Sequence, residues 1–290
     1  MEPAPPLESV ARATPDWDVW VTLLRVTLNE AERSDWMAMV PATPADDGRV
    51  AAGGCLLEGA AIAVRPRALG RFMGRLVGAT RRGMPTSAAW PESVMIRLFQ
   101  AAIEGDEAAL PPLAVELDLA EPTLAAIAPL LAMPLLLACN RAWTPRISPA
   151  WPHGYCPVCA AWPVLAEARG LERTRQLRCG RCGGDWRFDW LRCPFCRCAD
   201  HQRLATLVPG RELDARRVEV CRACRGYVKT MTTLAATAAA EMSLRDLDTL
   251  DLDLVALERG FRRPPGLARA IGARVNASGA GRRMARWLGR

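Results

Sequence analysis

Eight of the eleven cysteines fall into four Cys-x-x-Cys pairs within 69 residues. They read Cys156-Pro157-Val158-Cys159, Cys179-Gly180-Arg181-Cys182, Cys193-Pro194-Phe195-Cys196 and Cys221-Arg222-Ala223-Cys224. Two intervening residues let one tight turn aim both sulfurs at a single ion, with backbone N–H groups of the turn directed at the thiolates. Two such knuckles complete a tetrahedral four-sulfur site, the arrangement of zinc ribbons and rubredoxin-like iron sites. The chain is therefore expected to hold two metal ions, iron or zinc, since four-sulfur geometry suits both.

Four pairs can form two sites in three ways. Sequential pairing encloses 19 residues between Cys159 and Cys179, and 24 between Cys196 and Cys221. Both lengths suit a β-hairpin and close at low entropic cost. This favours Cys156/Cys159/Cys179/Cys182 as one site and Cys193/Cys196/Cys221/Cys224 as the other, over a cross-braced arrangement with longer closures. A redox dithiol is disfavoured, because it opens a helix in a βαβ unit and occurs once. Cys198 reads as a spare thiol, Cys55 and Cys139 as small core residues. With eight cysteines on hand, His153 and His201 are not needed as ligands.

Little else in the chain could do chemistry. There is no Gly-rich phosphate loop and no His-Glu-x-x-His, and only two histidines are present for acid–base work. Sites closed by four protein sulfurs describe a structural ion or an electron-transfer iron, not an open Lewis acid. No catalytic residue is assigned and no enzyme activity is expected. The acidic run Asp246, Asp248, Asp251, Asp253 alternates with leucines and reads as the solvated side of an amphipathic element.

Basicity is local. Of a net charge of +7, residues 151–231 carry +7 and residues 259–290 carry +9, so the remainder carries −9. Eight thiolates and two divalent ions would lower the cysteine-rich segment to +3, so many of its arginines are expected to balance anionic metal centres. That weakens a nucleic-acid reading of the basic ribbons. Lys229 is the only lysine.

The first residues, Met1-Glu2-Pro3-Ala4-Pro5-Pro6, lack the basic and apolar regions of a secretory signal. A reducing compartment is expected, where repeated Cys-x-x-Cys means metal. Leu124 to Cys139 is apolar but shorter than a membrane span and interrupted by Pro129 and Pro134, so a buried, kinked helix is expected and no membrane.

The elements that must position the cysteines follow from periodicity. Trp17, Trp20, Leu24 and Leu28 recur at helical spacing, as do Leu69, Phe72 and Leu76, and Val94, Leu98, Ala101 and Ala102. Pro- and Gly-rich breakers divide this region into five to seven helices. Trp186-Arg187-Phe188-Asp189-Trp190 alternates as a strand would, its three aromatics on one face. Leu247, Leu250, Leu254 and Leu257 fit one helical stripe. The expected architecture is multidomain, α plus small β: an all-α N-terminal domain (1–148), two rubredoxin-like or zinc-ribbon metal modules (149–190 and 191–231), a C-terminal helical segment (232–271) and a basic, disordered tail (272–290).

Trp151-Pro152-His153-Gly154-Tyr155-Cys156-Pro157-Val158-Cys159 closely resembles the start of the metal region in the formate dehydrogenase accessory proteins, the FdhE family. The likeness continues through Leu177 to Trp186, Leu191 to Cys196, and Val218 to Lys229 with its Tyr227-Val228-Lys229 ending. Asp246 to Phe261 resembles the family's closing helix. Together these cover roughly residues 150–261. Family members have Gly where this chain has Ala160, and Cys198 is an addition. The resemblance implies a cytoplasmic maturation chaperone that binds the catalytic subunit of a molybdenum- or tungsten-containing formate dehydrogenase. It also implies a helical domain followed by two rubredoxin-like modules, with iron binding. Two other functions compete on residues alone: a zinc-ribbon nucleic-acid-binding protein, and a rubredoxin-like electron-transfer protein.

Overall fold

The computed structural model describes residues 18–42, 45, 47–80, 90–208 and 215–278. The N-terminal helices are α1 (Asp18–Ala31), α2 (Ser34–Met37), α3 (Asp47–Ala51), α4 (Pro66–Thr80), α5 (Glu92–Glu104), α6 (Leu110–Leu117) and α7 (Glu121–Trp143). Leu69, Phe72 and Leu76, and Val94, Leu98, Ala101 and Ala102, are buried, each set on one helix face. On α1 the stripe is phased differently. Val21, Leu23, Leu24, Thr27 and Ala31 face inward, while Trp20 is 44% exposed and Trp17 lies outside the described residues.

Trp36 sits at the centre of this domain, fully buried, with Phe72 and Phe99 at centroid distances of 6.0 and 6.2 Å. Its indole N–H donates to Glu30, which also pairs with Arg75, so the one buried carboxylate of α1 is neutralised. Helix α7 runs unbroken through Pro129 and Pro134. It is long and apolar enough to cross a membrane, but 72% of its most apolar window is buried within the protein, as the core helix of this domain.

The N-terminal domain is not all helix. Strand β1 (Ala61–Val64) pairs in parallel with β8 (Arg274–Ala277), which returns from residues expected to form a disordered tail. Polar side chains of α5 hold it there. Glu104 accepts from the Ala273 amide at 2.7 Å, and Gln100 accepts from Val275 and donates to the Ala273 carbonyl, both at 2.7 Å. Alternating Val275 and Ala273 are buried, which is what a four-residue strand needs to stay put. Residues 279–290 lie outside the described residues.

The cysteine-rich region folds as one six-stranded sheet in the order β4-β3-β2-β7-β6-β5. Its strands are β2 (Pro163–Arg169), β3 (Thr174–Cys179), β4 (Asp185–Arg187), β5 (Leu204–Leu207), β6 (Arg216–Cys221) and β7 (Tyr227–Thr233). Each module contributes three antiparallel strands in the same order, knuckle, strand, strand, knuckle, strand. The modules are thus a structural repeat, joined by parallel pairing of β2 with β7 from Leu165↔Lys229 to Arg169↔Thr233. The expected strand at Trp186–Trp190 ends at Arg187: Trp186 and Phe188 are buried, but Trp190 turns out over Arg217, 4.9 Å from its ring.

The two modules sit on different cores. Cysteines of the first belong to the same apolar cluster as the N-terminal helices. The second packs Val218, Val220 and Tyr227 against Leu252, Ala256 and Phe261 in a small cluster of its own. The closing segment is two short helices, α8 (Met242–Leu247) and α9 (Leu250–Glu258), not one. The expected leucine stripe is overturned: Leu254 and Leu257 are 60% and 50% exposed, and Leu252 and Ala256 face inward.

Nor is the acidic run simply solvated. Asp246 and Asp253 each lie 2.7 Å from the ammonium of Lys229, whose side chain is fully buried. Arg263 pairs with both carboxylates at 2.7 and 2.8 Å, and the Tyr227 hydroxyl donates to Asp253 at 2.6 Å. This cluster fastens β7 to α8 and α9. Removing one partner strands buried charge, so Lys229→Met is expected to lower stability by about 3 kcal/mol in denaturant unfolding. A loss within error of zero would mean the cluster is not holding the helices.

Gly154 abuts Pro194 between the first two cysteines of the second module, and a Cβ there would lie 1.9 Å from the Pro194 carbonyl oxygen. Gly154→Ala is therefore expected to displace that knuckle and reduce bound metal from two ions per chain to one in elemental analysis. Two ions retained would contradict the packing.

Candidate metal centre

All four knuckles share one backbone design. The first cysteine's N–H donates to the carbonyl five residues on: Ala161, Gly184, Cys198 and Gly226, each at 2.9 Å. The residue after the second cysteine returns an N–H to the first cysteine's carbonyl, from Ala160, Gly183, Arg197 and Arg225 at 2.8–3.0 Å. That residue must turn left-handed, with φ of 56°, 69°, 62° and 61° respectively. Only Gly183 suits the conformation without Cβ strain. A glycine search would therefore have found one knuckle of four. Within the turns, Val158, Arg181 and Gly226 donate backbone N–H groups to the Cys156, Cys179 and Cys224 sulfurs at 3.4 Å.

The structure brings together both sequential groups expected from spacing. In each, the four ligand atoms all lie within 4.8 Å of one another. Cys156 and Cys182 Sγ are 3.4 Å apart, and Cys159 and Cys179 Sγ 3.6 Å. In the second group Cys193–Cys224 and Cys196–Cys221 are 3.6 and 3.7 Å. Tetrahedral coordination at a zinc–sulfur bond of about 2.3 Å requires sulfurs about 3.8 Å apart, so both donor sets fit a metal ion. Cys198 contributes a carbonyl to its knuckle, and neither His153 nor His201 joins a group. Cys55 and Cys139 are buried core residues; burial pushes the Cys55 thiol up to about 12 and raises Cys139 further.

Proton sharing among the first four sulfurs points the same way. Burial raises Cys156 well above the ordinary thiol range. Burial also acts on Cys179, but hydrogen bonds from Cys156, Cys159 and Cys182 outweigh it and hold that group well below the range. A sealed set of thiols can neither ionise together nor stay comfortably neutral, and a divalent cation resolves the conflict.

The centres differ in access. All four cysteines of the first are buried, whereas Cys196 and Cys224 of the second are exposed. The first knuckle is docked on the helical domain, where its Pro157 and Val158 carbonyls accept from Leu56 and Leu57 at 2.7 and 3.0 Å. Arg181, inside the second knuckle, donates to the Ala102 and Ile103 carbonyls of α5 at 2.6 and 3.0 Å. The second centre borders a small separate core, and its Phe195 also packs against the first. A row of rings, Tyr155, Trp162 and Phe195, links the two, with centroid spacings of 6.2 and 5.5 Å.

Several arginines of this region also form ion pairs. Their ion pairs run to carboxylates: Arg178 to Glu167 at 2.8 Å, Arg169 to Glu167 and Asp185, Arg175 to Glu219 at 2.6 Å, Arg216 to Asp251 at 2.6 Å. The Lys229 cluster and Arg181 were missed from sequence. The sole lysine, beside the last knuckle, was the one signal that could have found the former.

Fold and site together define a class: a helical domain carrying two fused tetracysteine ribbon modules. The chain is 32% identical over 114 residues to the Protein FdhE homolog of Aquifex aeolicus (strain VF5), covering 38% of this chain and 40% of that one. It is 33% identical over 121 residues to the Protein FdhE homolog of Stutzerimonas stutzeri (strain A1501), covering 40% and 39%. The match thus spans about two-fifths of the length of these curated relatives. The fold is shared with the crystal structure of the FdhE protein from Pseudomonas aeruginosa, at a TM-score of 0.53 and 21% identity over 91% of this chain and 92% of that one. No family model matches. Both curated likenesses cover less than half of the chain, and the solved structure shares its fold.

Unequal burial predicts unequal lability. A chelator is expected to strip metal in two phases, with the fast phase missing from Cys221→Ser and the slow phase missing from Cys179→Ser. A single phase, or the reverse assignment, would refute the ordering. Because thiols must lose their protons to bind, acidification is expected to release the exposed centre first, as pH falls.

Proposed function

We propose that this protein is a cytoplasmic accessory factor for the maturation of a formate dehydrogenase, binding its catalytic subunit and performing no catalysis itself. In this reading Cys156, Cys159, Cys179 and Cys182 hold one ion, and Cys193, Cys196, Cys221 and Cys224 the other, as iron or zinc. The observation that carries it is the pairing of likeness to proteins named FdhE homolog with two groups of four cysteine sulfurs, each able to enclose an ion. A closed centre supplies folding energy and shape, leaving no position for substrate. Arg175, Arg178 and Arg216 are engaged in internal ion pairs, which withholds these guanidiniums from a phosphate-binding surface.

Deleting the gene is the test. Formate oxidation is expected to disappear while the catalytic subunit is still made, and the tagged protein is expected to co-purify with that subunit. Normal formate oxidation in the deletion strain would overturn the proposal. Elemental analysis and a visible spectrum of the same preparation separate ferric thiolate from colourless zinc.

A further inference from the structure

A groove of about 640 Å³ lies where three parts of the chain meet: the α5–α6 corner, the first turns of α7, and Gly266-Leu267 of the closing segment. Its volume falls in the range of ligand sites, which favour such junctions. Ala101, Ala102, Ala125 and Ala128 contribute to its walls. These small side chains on two neighbouring helices leave room for a large apolar group. Asp106, Glu107 and Glu121 also line it, all three exposed.

Arg181 reaches the groove from between Cys179 and Cys182. An apolar, acid-rimmed groove at such a junction fits a polypeptide ligand. Its apolar side chain fills the alanine-lined space, and its basic side chains face the three carboxylates.

We infer that this groove seats a cationic segment of the partner, one bearing a large apolar residue flanked by Arg or Lys. The inference rests on the proposed binding of the catalytic subunit and names the surface that does it. Because Arg181 also donates its backbone N–H to Cys179 Sγ, the groove is built on the first metal centre.

The experiment measures binding of the full-length, metal-loaded chain to the purified catalytic subunit by biolayer interferometry across a salt series. Wild type is expected to bind with a steep salt dependence. Glu107→Arg with Glu121→Arg, both on the exposed rim, is expected to weaken binding by about tenfold or more. Ala125→Trp, which fills the groove from an exposed position, should do the same without salt dependence. Glu258→Arg, an exposed acid on α9, serves as the control and is expected to bind as wild type. If wild type binds and the rim and filling variants bind equally well, the groove assignment is overturned while the accessory reading stands. Equal weakening by Glu258→Arg would also overturn it, since general charge and not the groove would be responsible. If wild type itself fails to bind, the accessory reading fails first.

Discussion

Four cysteine sulfurs held within 4.8 Å of one another are an electrostatic problem that a cation solves. The rest of the cysteine-rich half is arranged around solving it twice. Each knuckle spends its backbone hydrogen bonds on a turn that aims two sulfurs the same way. To close that turn, three of the four knuckles place a non-glycine residue in the left-handed region. That conformation costs roughly 1 kcal/mol per residue. It persists because coordination and the two knuckle hydrogen bonds over-determine it.

The second consequence is continuity. Two ribbons side by side would each leave an unpaired strand edge, and such edges invite association. Pairing β2 with β7 covers one edge of each module with the other, and the repeat becomes a single sheet. The same strand β7 carries Lys229, whose ammonium draws Asp246 and Asp253 in from α8 and α9. One strand therefore connects the first module, the second module and the closing helices.

Unequal burial then separates the centres by role. The first is part of the helical domain's core, with its knuckles bonded to residues 56–57 and to the end of α5. It acts as a keystone between domain and sheet. The second stands on its own small core with two ligands exposed. In a metal-loaded chain the first ion would be sealed within the core and the second within reach of solution.

The sequence by itself determined what local spacing can determine. Two residues between cysteines dictate a knuckle, and a hairpin-length interval dictates its mate, so both metal groups were legible before any fold was known. Periodicity likewise located the buried faces of α4 and α5. It failed where the deciding partner is distant in the chain. Strand β8 exists because Gln100 and Glu104 receive its amides, and β1 exists because β8 lies beside it. The aspartates of the closing segment turn inward because a lysine seventeen and twenty-four residues away is buried beneath them. Which centre is sealed was also a tertiary matter, since identical Cys-x-x-Cys motifs acquire their exposure only from the surfaces they dock against. Short-range spacing grouped the cysteines, and long-range packing decided how exposed each group is.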